Sequence, residues 1–147
     1  MKAKLPLIGR ILLGLIFFVF GLNGFLHFIP QPPPPPAAGA FFGAIVATGY
    51  LWPLLKATEV IAGLMLLAGR GVPLALTLLA PIIVNILFFH TVLAPAGAPM
   101  AIVITALNIG LAYAYRDSFR GVLNFNAKPT AQAQNEASGA AATHAAE

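Results

Sequence analysis

Four long apolar runs dominate the pattern of the chain. They cover roughly residues 7–29, 51–68, 72–93 and 99–115. Each run is close to the roughly 20 residues that a helix needs to cross the hydrocarbon core of a bilayer. Three runs have a proline near their start: Pro53, Pro73 and Pro99. The missing N–H of proline does no harm there, because the first N–H groups of a helix have no partner within the helix. The pattern therefore predicts an all-α integral membrane four-helix bundle, with a kink at Pro81 inside the third run.

The segment between the first two runs has a different pattern. Its proline run, Pro32–Pro36, predicts an extended polyproline II spacer. The apolar residues 37–48 that follow are too few to span a bilayer, so we expect an extra short interfacial or re-entrant helix after the first span. From Asn126 onward the chain has no hydrophobic period and almost no large apolar residue, which is typical of disorder. These patterns predict a transmembrane domain over 1–125 and a disordered tail over 126–147.

Composition supports a membrane protein and excludes several other classes. Of the 147 residues, 59% are hydrophobic and 8% are charged, against about 25% charged in soluble domains. The net charge is +4, but the basic residues form no patch or stripe, which excludes a nucleic-acid partner. The chain has no cysteine, which excludes thiol redox chemistry, disulfides and thiolate metal sites.

The distribution of Lys and Arg predicts the orientation in the membrane. Basic residues precede the first run, Arg70 lies in the turn between the second and third runs, and Arg116 and Arg120 follow the fourth. The loops at 31–49 and 94–98 contain neither Lys nor Arg. The positive-inside rule then predicts that both termini and the tail are cytoplasmic and that the proline loop lies outside.

Polar residues recur at similar depths in the four runs. The second run, within LWPLLKATEVIAGLMLLAGR, contains Lys56 and Glu59, although a charged side chain at the bilayer centre costs about 2.5–3.5 kcal/mol on insertion scales. Counted from the outer ends at about 1.5 Å per residue, Glu59 shares its depth with one amide from each other run: Asn23, Asn85 and Asn108. A second layer nearer the surface consists of His27, Lys56 and His90. We interpret these residues as a polar cluster in the outer half of the bundle.

Each polar residue except Glu59 also has a non-functional interpretation, which for His27 and His90 is that of interfacial anchors. Asn108 is best read as a hydrogen-bonding link between helices. Lys56 either extends its ammonium to the outer interface or pairs with Glu59, and the sequence leaves both options open. Glu59 is too short and too deep to reach the interface, so it is the strongest functional candidate.

Geometry around the helices adds two expectations. Asn85 and His90 lie five residues apart, roughly 140° around a helix, so both cannot point directly inward unless the Pro81 kink helps. On the fourth run, the small residues Ala106, Gly110 and Ala114 predict a stripe for close helix packing.

Four segments of the chain, read in order, resemble the DoxX-like family of small four-helix bacterial membrane proteins. They are GLIFFVFGLNGFLHFIP, FFGAIVATGYLWPLLKATEVIAGLMLLAGR, PLALTLLAPIIVNILFFH and AYAYRDSFR, and the resemblance covers roughly residues 5–123. It implies a multi-pass bundle in the bacterial inner (plasma) membrane. The family takes its name from a subunit associated with a thiosulfate:quinone oxidoreductase, and most members have no assigned activity. The resemblance thus implies a membrane or soluble oxidoreductase as one option for a partner, besides the lipid bilayer.

Two classes of function remain. The first is a redox-associated subunit whose polar site binds a quinone-like headgroup or relays a proton, with the candidates Glu59, Lys56, Asn23, His27, Asn85 and His90. The second is a non-catalytic membrane scaffold, or a small-solute or ion pathway, in which the polar layer sets helix register. Haem held by His27 and His90 is disfavoured, because isolated intramembrane histidines have many other uses, and no metal-binding motif is present. The sequence leaves open the catalytic residues, the existence of a reaction and the oligomeric state.

Overall fold

The computed structural model describes residues 4–127, 129–132 and 134, and five α-helices lie within residues 4–114. They are α1 (Lys4–Leu26), α2 (Pro36–Ala47), α3 (Leu51–Ala68), α4 (Val72–Phe88) and α5 (Ala98–Ala114). A π-helical turn, Phe89–Leu93, extends α4, and a 3₁₀ turn, Pro95–Gly97, leads into α5. With these extensions, all helices except α2 are long and apolar enough to cross a membrane. The predicted all-α membrane bundle is confirmed.

The closest helix packing joins α1 to α3, which pack together more extensively than any other pair of helices in the described chain. A carbon added at Gly63 of α3 would lie 2.6 Å from the backbone N of Phe18 and 2.9 Å from the carbonyl O of Gly14 on α1. The two backbones therefore touch where only glycine fits, as in other close crossings of membrane helices.

The small residues of α5 do not serve such a crossing. Ala106, Gly110 and Ala114 are all exposed, and a carbon added at Gly110 would meet no atom within 4 Å. The prediction that this stripe mediates close packing within the bundle is wrong. Small-residue spacing shows that a helix can be approached closely, but the approach itself depends on which face the neighbouring helices cover.

The short helix expected after the prolines is present as α2, and it packs against α3 and the π-helical turn. Aromatic rings join it to them: Phe42 lies 4.8 Å from Phe89 and 5.8 Å from Trp52, between ring centroids, and Phe41 lies 5.5 Å from Phe89. We call these four residues the aromatic cluster, and the end of the bundle that carries them the Trp52 end.

The opposite end of the bundle, which we call the Arg10 end, contains the tight turn between α3 and α4. Gly69 and Gly71 adopt positive φ angles of 70° and 63° there, and the Arg10 side chain of α1 lies against Gly69. Between the two ends, the core is formed by fully or almost fully buried aliphatic side chains: Leu13, Leu66, Leu76, Leu79 and Ile83.

The compact helical unit ends at Arg116, and a separate segment begins at Asp117. The sequence predicts a boundary at 125/126 and a disordered tail after it. Of that tail, only 126, 127, 129–132 and 134 are described, and all of them are exposed. The remaining tail residues lie outside the described residues, and the disorder of the tail stays a prediction.

Candidate functional site

The two charged residues of α3 form an ion pair. Nζ of Lys56 lies 2.8 Å from Oε2 of Glu59, three residues further along the same helix. Glu59 is only 3% exposed, and the Lys56 side chain is 14% exposed. Of the two options for Lys56, the structure shows pairing with Glu59. The ammonium also lies 5.0 Å from the centroid of the Trp52 ring, a distance at which a cation is attracted to an aromatic face.

Glycines of α1 leave the space that the pair occupies. A carbon added at Gly24 would collide with the aliphatic stem of Lys56, and one added at Gly21 would lie 3.1 Å from Cβ of Glu59. The Trp52 indole N–H donates a hydrogen bond to the Gly24 carbonyl oxygen at 3.2 Å. One wall of the site is therefore the backbone of α1, and the site exists because α1 lacks side chains at these positions.

Asn23 uses its amide on the loop that follows α1. Its Nδ2 donates to the carbonyl oxygen of Ile29 at 3.3 Å, and its Oδ1 accepts from the backbone N–H of Ile29 at 2.6 Å. His27, inside this loop, is exposed and has a left-handed φ of 52°. Asn23 thus holds the chain reversal at the end of α1, and His27 lies on the surface at the Trp52 end.

Asn85 does not join a buried cluster. It is exposed on α4, so the prediction that places it in a polar cluster with Glu59 is wrong. The buried face of α4 carries Leu79 and Ile83, and Asn85 lies two residues beyond Ile83, or about 200° around the helix. Depth along a helix is easily counted from a sequence, but the direction of the side chain depends on which face the neighbours cover.

His90 lies in the π-helical turn and is half-buried. Its Nδ1 is 2.9 Å from the carbonyl oxygen of Ile86. A carbonyl can only accept, so Nδ1 of His90 donates this hydrogen bond. The edge of the ring lies against Gly97.

Two further features involve polar side chains. Asn108 is buried on α5, and its Oδ1 has no hydrogen-bond partner among the described residues.

A shallow open groove of about 260 Å³ lies beside Asn85 and is lined by Phe41, Asn85, Phe88, Phe89, Val92 and Leu93. Within the described part of the chain, no group of three or more His, Asp or Glu residues is placed to hold a metal ion.

Sequence reasoning missed the aromatic cluster and the glycine wall. Trp52 reads as an interfacial aromatic residue, and its hydrogen bond to Gly24 depends on how α1 and α3 approach each other. A usable signal was present in α1, where Gly14, Gly21 and Gly24 interrupt an otherwise bulky apolar run.

The sequence profile of the DoxX family matches residues 5–92, well over half of the chain. The protein belongs to the DoxX family. The matched part of this DoxX protein contains α1 to α4 with the Lys56–Glu59 pair, and it ends before α5 begins. No curated protein and no solved structure matches the chain.

The ion pair of this DoxX protein retains unused hydrogen-bonding capacity. An ammonium has three N–H donors, and Glu59 is the one acceptor that Lys56 contacts among the described residues. The ammonium contacts Oε2 of Glu59, and Oε1 makes no hydrogen bond to the described residues. The pair can therefore donate to a further acceptor through Lys56 and exchange a proton through Glu59.

Proposed function

We propose that this DoxX protein is a redox-associated subunit of the bacterial inner membrane, with both termini cytoplasmic and the Trp52 end facing outward. Its Lys56–Glu59 pair binds the headgroup of a quinone-like ligand or relays a proton. The observation that carries the proposal is the buried pair inside a membrane span. Ionisable residues in spans mark ligand and proton pathways. A pair kept only for stability is poorly explained, because apolar residues of similar volume often stabilise equally well or better.

The surroundings of the pair suit a flat, hydrogen-bond-accepting headgroup. Quinone carbonyl oxygens accept hydrogen bonds, and Lys56 has N–H groups beyond the one directed at Glu59. The Trp52 ring beside the ammonium offers an aromatic wall. Reduction of a quinone to a quinol takes up two electrons and two protons. The electrons would come from a membrane or soluble oxidoreductase partner, and the pair would pass protons at the outer side.

The other predicted residues take different parts in this proposal. Asn23 is a positioning residue, because it holds the loop next to the Gly24–Trp52 contact. His27 and His90 are candidates to carry protons between the pair and the outer surface. Asn85 faces away from the bundle and has no role at the pair.

The proposal is tested by measuring how a quinone analogue binds to the purified protein. Quenching of the fluorescence of Trp52, the one tryptophan of the chain, reports the binding. We expect Glu59→Leu and Lys56→Met each to weaken binding at least tenfold. Thr58→Val is the matched control, because Thr58 lies on the same helix and its hydroxyl donates to the Leu54 carbonyl of that helix. The double variant Lys56→Met/Glu59→Leu leaves no unpaired charge, so it should fold and still fail to bind. Unchanged binding in the double variant would contradict the ligand site.

The second candidate is a non-catalytic scaffold in which the pair sets the register of α1 against α3. The tight enclosure of the pair by Gly21, Gly24 and Trp52 favours it. A scaffold predicts that wild-type protein binds no quinone analogue and that the single variants lower only thermal stability. A small-solute or ion pathway would instead show flux through vesicles that contain the purified protein.

A further inference from the structure

The outward face of α4 carries a regular exposed stripe. Its members are four and three residues apart in alternation: Leu74, Leu78, Pro81, Asn85 and Phe88. This spacing is that of the a and d positions of a heptad, which keep one face aligned with a parallel partner helix. Lipid alone accounts for the exposed apolar members of the stripe, but it does not account for Asn85.

Among the described residues the Asn85 amide has no hydrogen-bond partner, and it lies inside a span long and apolar enough to cross a membrane. It lies about 12 Å inward of Leu93 by the helical rise, and its short side chain cannot reach the interface. Two other exposed polar side chains on this helix and its extension are satisfied locally: the Thr77 hydroxyl donates to the Pro73 carbonyl, and that of Thr91 donates to the Leu87 carbonyl. Asn85 makes no side-chain hydrogen bond to any described residue, and an unpaired amide in hydrocarbon is unfavourable.

We propose that Asn85 pairs with Asn85 of a second copy of this chain, with α4 packed against α4. A carboxamide has both a donor and an acceptor, so two identical amides can bond to each other reciprocally. Copies inserted in the same orientation are related by a twofold axis along the membrane normal, which brings equal depths together. Each residue on the contacting face therefore lies opposite the same residue of the second copy. An amide suits such a contact best, because it both donates and accepts hydrogen bonds. This holds whichever end of the bundle faces outward.

The surroundings of Asn85 offer room for the second copy. The groove of about 260 Å³ beside it has aromatic walls from Phe41 and Phe88. Apolar side chains of the second copy would fill this groove while the two amides bond at the centre of the contact. Polar residues at single core positions fix register in paired helices, and Asn85 would do so here.

Cysteine crosslinking tests the contact cleanly, because the native chain has no cysteine. Leu78→Cys lies one heptad from Asn85 in the stripe. Ile109→Cys lies on the exposed face of α5 and is the matched control. In vesicles at low protein density, mild oxidation should give a disulfide-linked dimer for Leu78→Cys and only background for Ile109→Cys.

Variants at position 85 decide what the stripe binds. Adding Asn85→Leu to Leu78→Cys should reduce the crosslinked fraction to the Ile109→Cys background, and Asn85→Gln should restore part of it. Thermal stability, measured on the same variants, should remain that of the wild type, because leucine suits a lipid-facing site.

Equal crosslinking at both cysteines, or a dimer that survives Asn85→Leu, would overturn the proposal. Crosslinking at background in every variant would also overturn it and would point to a lipid-soluble ligand at Asn85. Quinone-analogue binding measured on Asn85→Leu should stay intact, so failure here is distinguishable from failure of the proposed function.

Discussion

Lys56 and Glu59 neutralise each other within one turn of a single membrane helix, 2.8 Å apart. The pair is nearly enclosed, so each charge depends on the other for compensation. The consequence of this dependence for stability can be measured directly.

The first prediction is that the pair is strongly coupled in stability. Lys56→Met alone and Glu59→Leu alone should each lower the free energy of unfolding by about 3 kcal/mol, because each leaves an uncompensated charge in an apolar site. The double variant should lie within about 1 kcal/mol of the wild type, since apolar replacement of a whole pair is often neutral. Equilibrium unfolding in mixed detergent micelles measures all four proteins. Additive losses would show that the two side chains act independently.

The second prediction concerns the α1–α3 crossing. Gly63→Ala should destabilise the bundle, because the new methyl would meet the Phe18 backbone and the Gly14 carbonyl, and overpacking typically costs about 1–3 kcal/mol. Gly110→Ala is the control, since nothing lies near that position. Thermal denaturation of both variants should separate them clearly. Equal melting temperatures would mean that the helices can move apart freely.

The third prediction concerns the left-handed residue after α1. His27→Gly should stabilise the protein by about 1 kcal/mol, because glycine adopts a φ of 52° without the strain imposed by a Cβ. Phe28→Gly, one residue further and outside the left-handed region, should bring no gain. Unfolding midpoints compare the two. A loss of stability in His27→Gly would show that the imidazole itself contributes a contact that glycine removes.

The fourth prediction concerns Trp52. Trp52→Phe keeps an aromatic ring near Lys56 but removes the N–H that bonds to the Gly24 carbonyl, so it should lower the free energy of unfolding by about 1 kcal/mol. Trp52→Leu removes the ring as well and should cost more. The contact of the Lys56 ammonium with the ring and the edge-to-face contact with Phe42 are then lost too. A Trp52→Phe variant as stable as the wild type would assign the role of Trp52 to its ring alone.

The fifth prediction is the orientation. A reporter that works only in the cytoplasm should be active when fused after Lys128, and one that works only outside should be active when placed in the proline loop 32–36. The physical reason is the absence of Lys and Arg from the loops at the Trp52 end. Opposite activities would invert the bundle and place the ion pair in the cytoplasmic half.

The spans were largely predictable from the sequence, because length and apolarity are local properties. The second run was expected at 51–68 and forms α3 over the same residues, ended by the left-handed Gly69. The first run was expected to continue to Ile29 but stops at Leu26. FLHFIP is apolar apart from His27, and hydropathy carries no information about the left-handed residue and the Asn23–Ile29 hydrogen bonds found there.

The site was predictable only in part, for a geometric reason. The i, i+3 spacing of Lys56 and Glu59 was sufficient to suggest their contact, because it lies within one helix. The direction of Asn85 depends on how α4 rotates against its neighbours, and the glycine wall depends on how closely α1 approaches α3. Both are properties of helix pairs, and the pattern along one helix does not determine them.

The location of both charges on one helix bears on how the protein reaches the membrane. α3 is the least apolar of the four spans, and it leaves the ribosome before α4 and α5 exist. An intrahelical pair needs no other helix, so we expect it to form as soon as α3 coils and to lower the cost of inserting this segment. The preceding α1, with its glycine face, can then receive it as the first partner available. Because α1 and α3 pack together more extensively than any other pair of helices in the described chain, we expect an α1–α3 hairpin to form first and the later spans to join it.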